Sequence, residues 1–499
     1  MKCVFTAEQM RLFEQQRFAD GRASSLDWME RAAKGVDALL KARYENRSML
    51  AVCGTGNNGG DGFALLRLLT ERGADCAGIL LADPAKLAGD AKTNYLRALD
   101  CGVRFFSVLT EEILAQFDVL VDAMFGTGLS RAVEGVYADA VERMNASGKP
   151  IVAIDLPSGV DATTGAILGC AICARETVAF ECYKRGHLLF PGRAQCGEVA
   201  VVPLSDETDG AEANVALLER DDLWRLLPKR PADSHKGDNG KVLLCAGSAR
   251  YTGAALLCTG AALRAGAGLT TAAIPGALKQ AFSALPEAMA ICVNPGEDWD
   301  EQACANAAAL LPKQNAVCIG PGVGEGSILA LLEAVLESKI PAVLDADALN
   351  QISKTHALLK KTHSRVVLTP HPAEMARLCG MNLEAILTDP IETARSCAKR
   401  WNCVVLLKGA TTCISDGATV RLNISGNPGL AKGGSGDVLS GLIAALLAQG
   451  LSAFDAASAG AFLLGASADT ALELLRERML LARDVIGMVE QTIEKFCIK

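Results

Sequence analysis

Short apolar runs recur along this chain, most closing on or followed by a glycine, an aspartate or a threonine, with helical patterns between them. In the first half they are Met49-Leu50-Ala51-Val52-Cys53, residues 77–81, Val119-Leu120-Val121-Asp122 and Ile151-Val152-Ala153-Ile154-Asp155. In the second half they are Val242-Leu243-Leu244-Cys245-Ala246-Gly247, Ala316-Val317-Cys318-Ile319, Ala342-Val343-Leu344-Asp345, Val366-Val367-Leu368-Thr369 and Val404-Val405-Leu406-Leu407. Helical patterns lie between them, at 63–72, 137–145 and 254–265. Strands apolar on every position, alternating with helices, predict parallel sheets covered on both faces. The expected class is therefore α/β.

A chain of 499 residues exceeds one ordinary core. The polar, acidic stretch 203–213, with Ser205-Asp206-Glu207-Thr208-Asp209-Gly210, is the best linker candidate, predicting domains at 1–213 and 214–499. A net charge of −8 argues against a nucleic-acid partner and an anionic membrane surface. There is no long apolar span and no apolar signal core near Met1, so the chain is expected to be cytoplasmic. Most of the 18 cysteines sit in apolar runs, as small hydrophobes do. Cys170 and Cys173 have metal-like spacing but no second pair beside them.

Gly433-Gly434-Ser435-Gly436-Asp437 precedes the apolar run 438–443. Small residues admit a ligand to the backbone, and the unpaired N–H groups of a helix start attract phosphate. A carboxylate inside an anion cradle needs a task, such as taking a proton or holding Mg²⁺, which suggests phosphoryl transfer. No Walker A pattern is present, so this is not a P-loop protein.

In the first half, Gly54-Thr55-Gly56-Asn57-Asn58-Gly59-Gly60-Asp61-Gly62 follows a strand and leads into a helix, with Asp83 about 20 residues on. A dinucleotide site is one reading; a bare tight turn is the other. Asp122 and Asp155 close strands and precede Phe125-Gly126-Thr127-Gly128-Leu129 and Pro157-Ser158-Gly159. A strand-end aspartate is commonly a helix cap. Several such loops meeting at the carboxyl edge of one sheet favour a ligand crevice.

As a set, the Asn57–Gly62 residues, Asp122 with Gly126-Thr127-Gly128, and Ile154-Asp155-Leu156-Pro157-Ser158-Gly159 resemble the NAD(P)H-hydrate epimerase family (the YjeF N-terminal domain) over about residues 1–210. Thr6, Gln9, Met10 and Met29-Glu30-Arg31-Ala32 also fit, and Glu14 stands where Asp is expected. The resemblance implies a Rossmann-like three-layer fold. It implies that Asn57, Asn58, Gly59, Gly60, Asp61, Gly126, Thr127, Gly128, Leu129, Ser130, Arg131, Ala132 and Asp155 hold a hydrated nicotinamide nucleotide. It also implies a potassium ion on Asn58, Asp122 and Ser158, oxygen donors that suit a hard cation, with Asp155 as acid/base.

The second half carries His235-Lys236-Gly237-Asp238, Gly253-Ala254-Ala255, Gly320-Pro321-Gly322, His371-Pro372-Ala373-Glu374, Lys408-Gly409 and Asn427-Pro428-Gly429 leading to the Gly433 loop. Together these resemble the ADP/ATP-dependent NAD(P)H-hydrate dehydratase family over about 220–495, which implies a ribokinase-like fold; Ala373 replaces a usual Gly. Ala255, Gly322, His371, Pro372, Ala373, Glu374 and Asp437 would then contact the hydrate. Lys408, Gly409, Ala410, Thr411, Thr412, Asn427, Gly433, Gly434, Ser435 and Gly436 would bind ADP or ATP with Mg²⁺. Asp437 would be the catalytic base. The family also implies a homo-oligomer.

The expected function is repair of NAD(P)H hydrates, epimerising the two forms and dehydrating one at the expense of a nucleotide. Alternatives are a sugar or vitamin kinase fused to a Rossmann domain, an NAD-dependent dehydrogenase, and a nucleotide-sensing scaffold. The lack of any histidine before His187 weighs against hydride transfer.

Overall fold

The computed structural model describes residues 1–205 and 213–497, so most of the expected linker, 206–212, lies outside the described residues. The chain divides into two compact units, Lys2–Ala213 and Asn214–Lys499, the latter joined by Met1.

The first unit holds a seven-stranded parallel sheet. Its order is Arg104–Phe106, Cys76–Leu80, Met49–Cys53, Val119–Ala123, Ile151–Ile154, Glu176–Phe180, Glu198–Val202. Every pairing is parallel. The order runs outward from Met49–Cys53 to one edge and then restarts on its other side at Val119–Ala123, the Rossmann arrangement. The switch point lies between those two strands, one leading into Gly54 and the other carrying Asp122 near its end. Both faces carry a core: Phe63, Leu65 and Leu69 pack on one, and Leu114, Phe117 and Met144 on the other.

The second unit repeats the plan at larger scale. Its sheet runs Met289–Asn294, Leu269–Pro275, Lys241–Cys245, Ala316–Ile319, Ala342–Leu344, Val366–Leu368, Val404–Leu407, Thr412–Ser415, Val420–Asn423, Val215–Leu217. Only the pairings of Thr412–Ser415 with its two neighbours are antiparallel. Here the switch point falls between Lys241–Cys245 and Ala316–Ile319, where Gly247 donates its N–H to Pro321 O at 2.8 Å. Among the described residues no helix is long and apolar enough to cross a membrane.

The strands expected at Met49–Cys53, Ala316–Ile319 and Val404–Leu407 form with those bounds. The helices after the two glycine loops differ from expectation. They run Asn57–Glu71 and Ser435–Ala448, so the motifs are themselves the first helical turns. Contact distance explains the glycines there. A Cβ on Gly59 would lie 2.0 Å from Gly54 O, and one on Gly441 would lie 2.1 Å from Cys258 O. Gly441 lets helix Ser435–Ala448 press against helix Thr252–Arg264, and both are apolar on their shared face.

That contact yields a stability expectation. Overpacking a close-packed interior costs about 1–3 kcal/mol. Gly441→Ala should lower the thermal unfolding midpoint of the protein by several degrees; an unchanged midpoint would mean the two helices can part freely.

Candidate active sites

In the first unit a cavity of about 750 Å³ opens above the switch point. Asp155, at the end of strand Ile151–Ile154, takes a left-handed backbone with φ 62°, which a non-glycine residue adopts only under constraint. The constraint is visible. Its N–H donates to Val178 O at 2.8 Å, and its carbonyl accepts from His187 Nε2 at 2.7 Å. His187 Nδ1 accepts from the Lys184 N–H at 2.9 Å, so the ring is a neutral tautomer; burial holds its pKa down at about 4. The carboxylate Oδ1 pairs with Lys184 Nζ at 2.5 Å, and Lys184 also donates to Phe180 O at 2.7 Å. Lys184 is wholly buried, and a buried ammonium is tolerable only with such partners.

Two more carboxylates reach the same cavity. Asp61, in the first turn of helix Asn57–Glu71, is buried, and burial with the nearby charges of Asp155 and Glu14 pushes its pKa well up. Glu14, on helix Ala7–Ala19, is pushed up to about 7 by burial and by Asp155.

Asp122 is fully buried below the cavity. It accepts from Ser158 N at 2.7 Å, Ser158 Oγ at 2.6 Å and Met124 N at 3.2 Å, and burial raises it to about 6. Ser158 Oγ accepts from Phe125 N at 2.9 Å. Asn58 is buried with neither side-chain polar atom hydrogen-bonded. A buried amide without partners points to a ligand, and a hard cation suits the oxygens of Asn58, Asp122 and Ser158.

Of the residues expected to hold substrate, Asn57, Asn58, Asp61, Asp155 and 126–131 line the cavity. Gly59, Gly60 and Ala132 do not. The two glycines serve packing: a Cβ on Gly60 would meet Met29 Sδ at 3.1 Å. Sequence reasoning passed over Lys184 and His187, and noted Glu14 without giving it a role. No local pattern around Lys184 or His187 announces them.

In the second unit Asp345 closes strand Ala342–Leu344 and is almost wholly buried. It pairs with Lys408 Nζ at 2.9 Å and accepts from Ser440 Oγ at 2.7 Å. The next residue, Ala346, has φ 47°. Lys408 also lies 3.7 Å from Glu374. His371 caps helix Pro372–Cys379: its Nδ1 accepts from Ala373 N at 3.2 Å, and its own N–H donates to Glu374 Oε2 at 2.8 Å. Burial lowers the His371 pKa. Asp437 is raised to about 7 by burial and by Asp345, against the opposing pull of Lys408. A Cβ on Gly436 would lie 3.6 Å from Lys408 Nζ, so the glycine turn faces this pair.

A cavity of about 610 Å³ is lined by His371, Pro372, Lys408, Gly409, Thr412, Gly433, Ser435 and Gly436, eight residues expected at the hydrate and nucleotide sites. Asn423 and Ser425 line it too and were not anticipated. Other expected contacts, Ala255, Gly322, Ala373, Glu374, Ala410, Thr411, Asn427, Gly434 and Asp437, are not on its wall. Ala410 is exposed and Thr411 buried. Asn427 is occupied within its loop, donating to Asp469 Oδ1 at 3.0 Å and accepting from Gly429 N at 3.1 Å. Ala255 is fully buried. Gly434 (φ 98°) and Gly322 (φ 63°) supply left-handed turns.

Two α/β units, one with an acidic cavity at its sheet's switch point and the other with a cavity at a glycine-rich helix start, define a two-site enzyme built to handle nucleotides. The comparisons agree with that class. A family model described as NAD(P)H-hydrate dehydratase matches residues 242–487, and one described as YjeF-related protein N-terminus matches 25–186. The bifunctional NAD(P)H-hydrate repair enzyme of Moorella thermoacetica is 37% identical over 97% of this chain and 96% of its own. The ADP/ATP-dependent NAD(P)H-hydrate dehydratase of Bacillus subtilis, co-crystallized with ATP/Mg²⁺, is 31% identical with TM-score 0.51 over 57% of this chain and 99% of its own. A ribokinase-like superfamily protein of Enterococcus faecalis is 25% identical with TM-score 0.50 over 57% of this chain and 96% of its own. The chain belongs to the bifunctional NAD(P)H-hydrate repair enzyme family.

The Lys408 ammonium pulls the Asp437 pKa down, so Lys408→Met should drive it above about 7. An NMR titration of the Asp437 carboxyl checks this; a lower value would contradict the assigned geometry.

Proposed function

We propose that the first unit interconverts the R and S hydrates of NAD(P)H and that the second dehydrates the S form at the expense of ADP or ATP. The observation that carries the reading is the pairing in one chain of two carboxylate sites. One gathers buried carboxylates around a single buried ammonium, and the other sets Asp437 on a glycine-rich helix start beside the Asp345–Lys408 pair. A kinase reading leaves the first cavity without a task.

In the first unit, Asp155 exchanges the proton of the hydrated carbon's hydroxyl, with Lys184 and His187 holding it in place. Residues 126–131 and the start of helix Asn57–Glu71 would hold the nucleotide. Asn58, Asp122 and Ser158 would hold potassium, which would supply fixed positive charge near the substrate's anionic groups.

In the second unit the difficulty is the leaving group. Hydroxide departs poorly, whereas a phosphate ester departs readily. Asp437 would take the hydroxyl proton as that oxygen bonds to the terminal phosphorus of the nucleotide, and the bond from phosphorus to the bridging oxygen breaks. The phosphate then leaves with the C–O electrons, and loss of a neighbouring C–H proton restores the ring double bond. The N–H groups of the Ser435–Ala448 helix start and Lys408 would stabilise the charge that develops. Mg²⁺, bound largely through nucleotide phosphates, would neutralise part of their charge. His371, neutral at physiological pH, would orient the substrate as a hydrogen-bonding group. A cytoplasmic setting accords with the free thiols along the chain.

A mixture of R and S NADH hydrates, supplied with K⁺, Mg²⁺ and ADP or ATP, should return to NADH completely by absorbance. Asp437→Asn should abolish recovery while leaving epimerisation intact. Asp155→Ala should stop recovery at the S fraction. Loss of both activities from either change in a folded protein would sink the two-site assignment.

The pH dependence follows from the base. Asp437 acts when ionised and titrates near pH 7, so dehydration should fall about tenfold per pH unit below that value and level off above it. A rate that rises on acidification would exclude Asp437 as the base.

A further inference from the structure

A carbon bearing a hydroxyl inverts when the hydroxyl leaves from one face and water returns on the other. Hydration of a dihydronicotinamide places the hydroxyl on the carbon beside the ring nitrogen. The nitrogen lone pair can therefore expel it, giving a C=N⁺ bond. The departing oxygen must gain a proton and leave as water. The water that adds to the opposite face must lose one. Two opposed proton carriers serve this better than one, and each must be free to change its charge.

Besides the exposed Glu8, the first cavity offers three carboxylates from three elements: Glu14 on helix Ala7–Ala19, Asp61 on helix Asn57–Glu71, and Asp155 at a strand end. One ammonium, Lys184, faces them, and its ion pair is with Asp155 Oδ1. Asp155 Oδ2 makes no hydrogen bond among the described residues, so it is the oxygen available to a ligand. Glu14 likewise has no hydrogen-bond or ion-pair partner among the described residues and borders the cavity with Arg11 and Phe18, at the i, i+3 and i+7 spacing of one helix face. That face is fixed. The helix is capped by Thr6, whose Oγ1 accepts from Gln9 N at 3.1 Å while Gln9 Oε1 accepts from Thr6 N at 2.9 Å.

We propose that Glu14 is a second catalytic residue of the epimerase site, exchanging a proton with the hydroxyl on the face opposite Asp155. The proposal rests on the epimerase reading given above. In one direction Glu14 gives its proton to the departing hydroxyl, the C–O bond breaks, and water leaves. A water then adds to the other face, and Asp155 takes its proton. The reverse direction runs with the roles exchanged, and the cavity water resets the proton between turnovers. Atoms and charge balance with water alone.

The electrostatics fit this division. Two of the three carboxylates have no counter-ion, and a crowded acidic cavity holds protons in place of charge. Burial and the charges of Asp155 and Glu14 push the Asp61 pKa well up, whereas Glu14 titrates near 7 and can both give and take a proton at physiological pH. The groups facing Glu14 are Asp155, Asp61 and Lys184, with Arg11 and Glu8 on its own helix also at the cavity wall.

The test is epimerisation of purified R hydrate, followed by chiral separation with the uncatalysed rate subtracted, in the full-length protein across neutral pH. Wild type should lose kcat/KM about tenfold per pH unit above about 7, as Glu14 gives up its proton. Glu14→Gln should reduce kcat about a hundredfold or more and erase that limb; Glu14→Asp should be slower but keep it. Formate should partly restore Glu14→Ala. Thermal unfolding checks that each variant is folded. If wild type does not epimerise, the epimerase reading itself fails. If wild type epimerises and Glu14→Gln keeps either its rate or its high-pH limb, the proposal fails and the reading stands.

Discussion

A carboxylate at the end of a buried parallel strand cannot keep its charge alone, and both halves of this protein are organised around how that charge is answered. Desolvating an unpaired ion costs several kcal/mol. In the first unit Asp155 is answered by Lys184, and in the second Asp345 is answered by Lys408. Each lysine comes from beyond a later strand of the same sheet, so the pair closes only when the sheet is in register. Each pair also sits at a backbone kink: Asp155 is itself left-handed, and Ala346 follows Asp345 in that conformation. A third group then feels the remaining field. Glu14 in one unit and Asp437 in the other are each driven to about 7. The proton chemistry therefore depends on the ion pair at the strand end beside it.

The sheets make this possible by putting strand ends and helix starts at one edge. At the switch point two neighbouring strands send their chains to opposite sides, and a crevice opens without any gap in the core. Gly54 and Gly59 work at this level. They bring helix starts within contact of backbone, where a methyl group would collide. Their contribution is to position rather than to bind, which is why Gly59 and Gly60 lie in the motif yet not on the cavity wall.

The parts legible in the sequence were those with a local signature. Apolar strand runs, glycine-rich helix starts and the strand-end aspartates gave the α/β class and most of both cavities. The loops ended sooner than expected because glycine, usually a poor helix former, is tolerated in a first turn where no other residue fits. Partners contributed from a distance were not legible. Lys184 stands 29 residues beyond Asp155 with no pattern of its own. Lys408 was visible only as a Lys-Gly pair, since its meaning comes from Asp345, 63 residues earlier. Asn427 was placed among the nucleotide contacts by its motif, but in the structure its side chain is used by Gly429 and Asp469.

The two lysines are not equivalent, and the difference matches the two chemistries. Lys184 is wholly enclosed, bonded to Asp155 and to the Phe180 carbonyl. It can only be a permanent counter-ion, which suits a reaction in which protons move and net charge does not change. Lys408 keeps 23% of its side chain exposed, borders the cavity, and stands between Asp345 and the more distant Glu374. A flexible ammonium so placed can turn toward an arriving phosphate without leaving Asp345 uncompensated, because Ser440 still bonds to that carboxylate. An enclosed pair fixes the charge of its site, and a half-open pair lets the charge follow the substrate. That contrast allows one architectural plan to carry a proton exchange in one unit and a phosphoryl transfer in the other.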